Sequence, residues 1–262
     1  MTGQKNGLIT RLQEWIGGEF VAFHCLAHKL ELPLSDAMKH VPGIFSFKCL
    51  IEGLYAYFHK SAKNEREVRA LSAEMGSHFY KIGKLFDIRW VASSFNCIDS
   101  VLKSYPSLVR YFQMQADSSS KCKGFHSKLT SWTTVAEVCF VKDVLFPLKQ
   151  FSLYCQEENS SVMECFARIS TMINTISALG EGMGIALSQF HDAQSQHHES
   201  GFLFKKIEIS CPTAAAKKAF DKFKMSTATQ LKQLREERLN SVMQIFEAAT
   251  VLLANYLPQI HS

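Results

Sequence analysis

Apolar residues recur three and four positions apart along most of the chain, which is the spacing that places them on one face of an α-helix. In the first third of the sequence this pattern predicts four helices: 8–16, 25–40, 44–58 and 64–76. Alternating patterns are rarer. They predict a buried strand at 20–24 and, after a loop that starts at Ser77, a second strand in which Phe86, Ile88 and Trp90 share one face.

The helical pattern continues through the rest of the chain and predicts longer elements. We expect helices at about 91–116, 126–156 and 159–190, and a last helix that has Pro212 in its first turn and reaches almost to Pro258. Because such a helix is long for a globular domain, we expect it to break near 226–229 or to pack in a bundle. Weak strand patterns occur at 202–204 and 207–209. The predicted fold class is mainly α, with few strands.

The composition excludes several classes of protein. Hydrophobic residues make up 47% of the 262 residues and charged residues 20%, so the chain can bury a core and is not wholly disordered. No apolar run approaches the roughly 20 residues that a membrane-spanning helix needs, and the polar N-terminus gives no export signal. The eight cysteines include no Cys-x-x-Cys pair, which favours reduced, mostly buried thiols in an intracellular protein. We expect a soluble protein with no membrane partner.

Positive charge is concentrated near the C-terminus. The net charge is +5, and residues 201–240 hold nine basic residues against four acidic ones. Such a stretch either follows a phosphate backbone or is an ordinary solvated helix face, and the sequence leaves both interpretations open. The candidate DNA-binding residues are six lysines: Lys205, Lys206, Lys217, Lys218, Lys222 and Lys224.

The densest group of chemically active side chains is His24-Cys25-Leu26-Ala27-His28. Cys25 and His28 are three positions apart and so share a helical face. A zinc site needs four ligands, usually as two close pairs, and no second pair occurs in the chain. A Cys–His nucleophile lacks an orienting group and an oxyanion site. These residues are therefore predicted to fix the chain locally, and no metal site is predicted.

A second short motif is Phe86-Asp87-Ile88-Arg89-Trp90. Arg89 beside Trp90 can anchor a phosphate or stack on a base. In the alternative interpretation the tryptophan belongs to the core and the arginine pairs with an acid such as Asp87. Elsewhere the chain has no Walker A, dinucleotide-binding, HExxH or GxSxG motif and no carboxylate cluster, which excludes the common nucleotide-binding, zinc-protease and serine-hydrolase sites. No small-molecule substrate is predicted.

Taken in order, these motifs resemble the hAT family of DNA transposases, and more closely the domesticated, zinc-finger-bearing proteins derived from them. The resemblance covers about residues 1–175. Pro33 departs from the family pattern and interrupts the regularity of its helix. The matching segments are Met1-Thr2-Gly3 with Asn6-Gly7, His24 to Leu32, Arg89-Trp90-Val91-Ala92-Ser93 and Leu102 to Val109.

The resemblance implies an RNase-H-like α/β domain interrupted by a helical insertion. We expect a partial RNase-H-like segment over 1–92 and a helical insertion bundle over 93–262. The family uses three carboxylates that hold two divalent metals; the pattern places two of them upstream of Met1, and the third falls beyond Ser262. Because two-metal catalysis needs converging carboxylates, we expect no catalytic residues and no Mg²⁺ unless residues outside this sequence complete the site.

The resemblance also implies a function. Cys25, His28, Arg89 and Trp90 match family motifs that shape the active site or lie near DNA. We expect a catalytically inactive domain that associates with DNA or chromatin proteins in the nucleus, with the cytoplasm as the alternative location. Two other interpretations stay open: a helical module for self-association or protein binding without DNA contact, and a fragment or mis-started version of an active transposase.

Overall fold

A computed structural model describes Arg11, Trp15 and residues 44–86, 90–157, 162–195 and 202–234. The described ranges are mainly helical, so the predicted mainly α class is confirmed. In chain order the elements are α1 (Ile44–His59), α2 (Ala62–Glu74), α3 (Trp90–Lys103), α4 (Tyr105–Met114), α5 (Ser120–Leu129), α6 (Trp132–Tyr154), α7 (Val162–Glu181), α8 (Ile185–Ser195), β1 (Phe202–Phe204), β2 (Ile207–Ile209) and α9 (Ala214–Leu234).

Helices α1, α2, α4 and α5 pack around a cluster of aromatic rings. In α1 the buried positions follow the predicted three- and four-residue spacing: Ile44, Phe47, Leu50, Ile51, Leu54 and Phe58. The polar helix α2 buries Val68 and Ser72 against this cluster and begins with Ser61, whose side chain accepts the Asn64 amide at 3.3 Å. The predictions of helices at 44–58 and 64–76 are confirmed.

Helix α6 is the centre of the second part of the bundle. It is buried on most of its circumference, as expected for a helix with neighbours on all sides, and it contacts α3, α7, α8 and α9. Helices α7 and α9 cross at Gly180, where an added Cβ would overlap the Cβ of Ala228. The glycine therefore allows the two helices to approach closely.

The two short strands form an antiparallel hairpin that joins this part to α5. Phe202 pairs with Ile209 and Phe204 with Ile207, which confirms the weak strand patterns. Lys205 and Lys206 form the turn with φ of 49° and 66°, the left-handed geometry that suits the twist of a hairpin. After β2, the Ser210 amide donates to the Thr130 carbonyl at 2.8 Å.

The three long helices predicted after residue 90 are each wrong in their extent, because local breaks divide them. The segment 91–116 is split at Ser104, where Pro106 lies in the first turn of α4. The segment 126–156 is split after Leu129 into the end of α5 and all of α6, and α5 begins earlier, at Ser120. The segment 159–190 is divided between α7 and α8, which are joined by a linker with glycines at 182 and 184.

Two further predictions need correction. Of the second predicted strand, which follows the loop from Ser77, Phe86 is not in a strand and Trp90 begins helix α3, and residues 87–89 lie outside the described ranges. Phe86 is 54% exposed while Trp90 is buried, so they do not share a face. No strand of the described ranges lies beside this segment, and the amides of Tyr80 and Phe86 donate instead to the side chains of Ser104, between α3 and α4, and Ser93 of α3. Pro212 precedes α9, and Thr213 caps it by accepting the Ala216 amide at 3.1 Å.

Several predictions fall on residues outside the described ranges. These are the strand at 20–24, the helix at 25–40, most of the helix at 8–16, residues 87–89 of the second strand and the last helix beyond Leu234. The RNase-H-like segment stays a prediction. So does the domain boundary at residue 92, although helix α3 runs through that position.

Candidate functional site

The motif residues suggested by the family resemblance divide between described and undescribed parts of the chain. Cys25, His28 and Arg89 lie outside the described residues. Trp90 is 4% exposed at the start of α3, so its ring packs in the core and is not presented for stacking on a base. Among the residues that the structure describes, no group of three or more His, Cys, Asp or Glu side chains could hold a metal ion.

Two of the six candidate lysines are engaged inside the protein. Lys224 is 9% exposed, and its ammonium donates to the Gly182 carbonyl at 2.7 Å. Lys205 is exposed as a residue, but its ammonium donates to the Leu102 carbonyl at the end of α3, and burial of this group lowers its pKa. These amines join structural elements, so we do not count them as contacts for DNA.

The other four candidates, Lys206, Lys217, Lys218 and Lys222, are exposed. Within the described ranges no carboxylate forms an ion pair with any of them. Lys218 and Lys222 are one helical turn apart, a like-charge spacing that costs about 0.2–0.5 kcal/mol in a helix. Asp221 lies on the same helix, four positions after Lys217, but within the described ranges it forms no ion pair with any of these lysines.

The tertiary structure adds one residue to this group. Lys128 is exposed near the end of α5, and the hydrogen bond from Ser210 to Thr130 brings that end beside the segment leading into α9. We call Lys128, Lys217, Lys218 and Lys222 the basic face; Lys206 is not included, because it lies in the hairpin turn, at the end of the hairpin opposite Ser210. Sequence reasoning missed Lys128 because it is far from the other three along the chain.

A second candidate site is a cleft of about 740 Å³ between α3, α6, α7 and the start of α8. Most of its lining is apolar, and Phe146 and Ile185 stay 49% and 73% exposed at its edge. The apolar lining residues are Phe95, Phe146, Pro147, Phe151, Met172, Leu179 and Ile185, and the polar ones are Asp99, Lys142, Asp143, Gln150, Arg168, Thr171 and Thr175.

Asp143 fixes one wall of the cleft. Its carboxylate accepts the amides of Ala186 at 2.8 Å and Leu187 at 2.9 Å, so a residue inside α6 caps the first turn of α8. Gly184 passes so close that an added Cβ would overlap the Cβ and Cγ of Asp143. Burial raises the pKa of the Asp143 carboxyl, and the two amide bonds and Lys142 offset part of this rise.

Asp99 lies between two lysines at another edge of the cleft. Lys103 is 2.7 Å and Lys142 is 2.8 Å from its carboxylate oxygens. Burial acts to raise the pKa of Asp99, but the hydrogen bonds from Lys103 and Lys142 outweigh it and hold the pKa below its ordinary value. Together these three side chains carry one excess positive charge.

Arg168 of α7 is the remaining charged group of the lining. Its guanidinium carbon lies 3.8 Å from the centre of the Tyr154 ring, a cation–π geometry that holds the side chain across the end of α6. The Tyr154 hydroxyl in turn donates to the Glu164 carboxylate. Within the described ranges no carboxylate forms an ion pair with Arg168.

Sequence reasoning did not find the cleft, because its residues come from four helices. One local signal was present: Pro147 lies inside α6, four positions after Asp143, and has no amide hydrogen to donate to the Asp143 carbonyl. The wall that Asp143 fixes is formed by α6, which contains this proline, and by the start of α8, which follows the glycines at 182 and 184.

No family model matches this chain, and no solved structure matches it. In the described part of the chain we find no helix that is both long and apolar enough to cross a membrane.

Proposed function

We propose that this chain is a catalytically inactive, hAT-derived helical domain that associates with nucleic acid through its basic face. The observation that carries the proposal is that Lys128, Lys217, Lys218 and Lys222 are exposed, without an ion pair to any described carboxylate. Lysine is a flexible point charge that suits phosphate oxygens without reading bases. The association is therefore sequence-independent.

Salt dependence gives this proposal a measurable form. A protein that neutralises phosphates releases counterions, so the logarithm of its affinity falls with the logarithm of salt concentration by about 0.9 per phosphate on duplex DNA. If the four lysines of the basic face each contact one phosphate, the slope is about 3–4. Each lysine that is replaced lowers the slope by about one.

The test uses fluorescence anisotropy with a labelled duplex at several salt concentrations. The variant replaces all four lysines of the basic face by glutamine. The control replaces four other exposed lysines in the same way: Lys60, Lys63, Lys81 and Lys84. We expect the first variant to lose most of the affinity and nearly all of the salt slope, and the control to keep both. An equal loss in the two variants would show that only net charge matters.

The origin and location in this proposal rest on the sequence motifs, chiefly Cys25, His28, Arg89 and Trp90. A domesticated transposase domain that binds DNA is expected in the nucleus. Absence of catalysis is tested directly by incubating the purified chain with supercoiled DNA and Mg²⁺. Strand cleavage that a chelator abolishes would contradict it.

A further inference from the structure

The cleft has the size and composition of a site for a small molecule. Small-molecule sites are clefts of roughly 300–1,000 Å³ lined by aromatic and aliphatic side chains with a few polar groups, and this one has about 740 Å³. Phe95, Phe146 and Phe151 supply aromatic walls. Since soluble proteins seldom keep such side chains at the surface in a concave group, the cleft is suited to an apolar occupant.

The polar groups of the lining indicate which charged group an occupant could carry. Most of them already bond within the fold: Asp99 to two lysines and Asp143 to two amides. The hydroxyls of Thr171 and Thr175 donate to carbonyls one turn earlier in α7, at 3.2 Å and 2.9 Å. What remains for an occupant is the Gln150 side-chain amide, which is neutral, and the Arg168 guanidinium, which is charged and oriented by the Tyr154 ring.

The lining has two acidic side chains, Asp99 and Asp143, and two basic ones, Lys142 and Arg168, so its formal charge is zero, and the positive charge that is left for an incoming group is that of Arg168. Asp99 is outnumbered by Lys103 and Lys142, and the Asp143 charge is directed at the positive end of α8. A guanidinium binds a carboxylate through two parallel hydrogen bonds, which an alcohol or an ammonium cannot reproduce. An apolar body that carries a carboxylate fits both parts of the cleft.

We propose that the cleft binds a carboxylic acid with an apolar body, of the size of a medium-chain fatty acid, with its carboxylate on Arg168. The chain lies along the apolar walls formed by α6 and α7. Asp143 and Gly184 keep the start of α8 in place, so the site is formed before the ligand binds. This site is separate from the basic face, and its failure would leave the nucleic-acid proposal untouched.

The test titrates the 262-residue chain with dodecanoate, dodecan-1-ol and dodecylammonium below their aggregation concentrations, by isothermal titration calorimetry. We expect dodecanoate to bind with a stoichiometry of one and at least about tenfold more tightly than the alcohol, and the ammonium to bind least. Equal binding of the acid and the alcohol, or binding at many weak sites, would overturn the proposal.

Two variants separate the roles of the charge and of the cavity. Arg168→Gln should reduce dodecanoate binding to the level of the alcohol and leave alcohol binding unchanged, whereas Arg66→Gln, at an exposed arginine of α2, should change neither. If Arg168→Gln keeps the preference for the acid, the assignment of the carboxylate site is wrong.

Thr175→Trp should fill the cleft and abolish binding of both ligands, because Thr175 is an exposed lining residue whose replacement leaves the core intact. Thr229→Trp is the matched control. Thr229 is also exposed on a helix and donates to the carbonyl one turn earlier, at 2.9 Å, but does not line the cleft. Retained binding in Thr175→Trp, or equal loss in the two variants while both keep the wild-type melting temperature, would contradict the proposal.

Discussion

Two regions of the described core bury their polar atoms in different ways. In the aromatic region, formed by α1, α2, α4 and α5, the rings of Tyr57, Phe112 and Phe125 lie with centroids 4.9–5.9 Å apart. The polar atoms here are mainly neutral: the Cys122 thiol donates to the Tyr57 hydroxyl at 3.2 Å, and the Tyr111 hydroxyl lies 3.4 Å from it. Burial, with these hydrogen bonds, raises the pKa of Tyr57 well above the ordinary value of 10.0 for a tyrosine.

In the cleft region, formed by α3, α6, α7 and α8, the buried polar atoms include carboxylates. Asp143 is 9% exposed and holds the start of α8, and burial raises the pKa of Glu137 to about 7. Burying a charge is costly unless it is hydrogen-bonded, so this region depends on particular bonds where the aromatic region depends on packed area. The part of the fold with charged internal bonds is thus also the part that leaves an open cleft.

The largest expected effect tests the aromatic region. Phe112 is 0% exposed and contacts several other rings. Phe112→Ala should lower the free energy of unfolding by about 4 kcal/mol, because it removes buried area and leaves a cavity. Urea denaturation monitored by circular dichroism measures this. Phe45→Ala, at a side chain that is 77% exposed, should change stability by less than about 0.5 kcal/mol. Similar losses in both variants would mean that the ring cluster is not a core.

The next effect tests whether one carboxylate holds the cleft region together. Asp143→Ala should cost about 3 kcal/mol, because it leaves two amides of α8 without an acceptor in a buried place. Asp143→Asn keeps one acceptor and should lose about half as much. Asp117→Ala, at an exposed aspartate, is the control for the substitution itself. If Asp143→Ala is as stable as this control, the cap between α6 and α8 does not support the fold.

Two glycine-to-alanine substitutions test how tightly the backbone is packed in the two regions. Gly184→Ala should destabilise the protein by about 2 kcal/mol, because its methyl group would overlap Asp143 and displace the capped turn. Gly124→Ala places the same methyl group in open space on helix α5 and should stabilise the protein by up to about 1 kcal/mol. Thermal melting of the two variants beside the wild type gives the sign of each change. The same sign in both would remove the contrast.

The smallest effect is a difference in pH dependence. Burial raises the pKa of Glu137 from an unfolded value of 4.5 to about 7 in the folded protein. The folded state therefore holds this proton more tightly, and stability that is fully present below pH 4.5 is lost as pH rises through 7. Since Glu137 is partly exposed, we expect a loss of about 1–2 kcal/mol between pH 5 and 8.

Glu137→Gln should remove this loss. The free energy of unfolding of the variant should therefore increase relative to that of the wild type as pH rises. Glu181→Gln, at an exposed glutamate of α7, should follow the wild-type profile. The measurement is the difference in free energy of unfolding between each variant and the wild type at pH 5, 6, 7 and 8. Parallel profiles for all three proteins would show that Glu137 does not titrate in this range.

The sequence pattern predicted the helices that have a clear apolar stripe, but it did not predict the positions at which one helix ends and the next begins. Helix α1 has the predicted position because its buried residues recur at helical spacing. The break between α3 and α4 was missed although Pro106 favours a helix start, since the apolar spacing continues across it. The described ends of the strand predicted before Trp90 show the opposite error, since Phe86 is not in a strand and Trp90 begins a helix: an alternating pattern forms a strand only where a neighbouring strand can accept its hydrogen bonds.

By itself the sequence determined the mainly α character, because the spacing of apolar residues is a local property of each segment. It also located the concentration of lysines near residues 201–240. Only the tertiary structure decided which lysines face solvent, since Lys224 and Lys218 have the same chemistry and differ in what packs against them. The tertiary structure also creates the cleft, because the helices that form its walls are far apart in sequence. Burial and contact are properties of the packed chain, and no single segment encodes them.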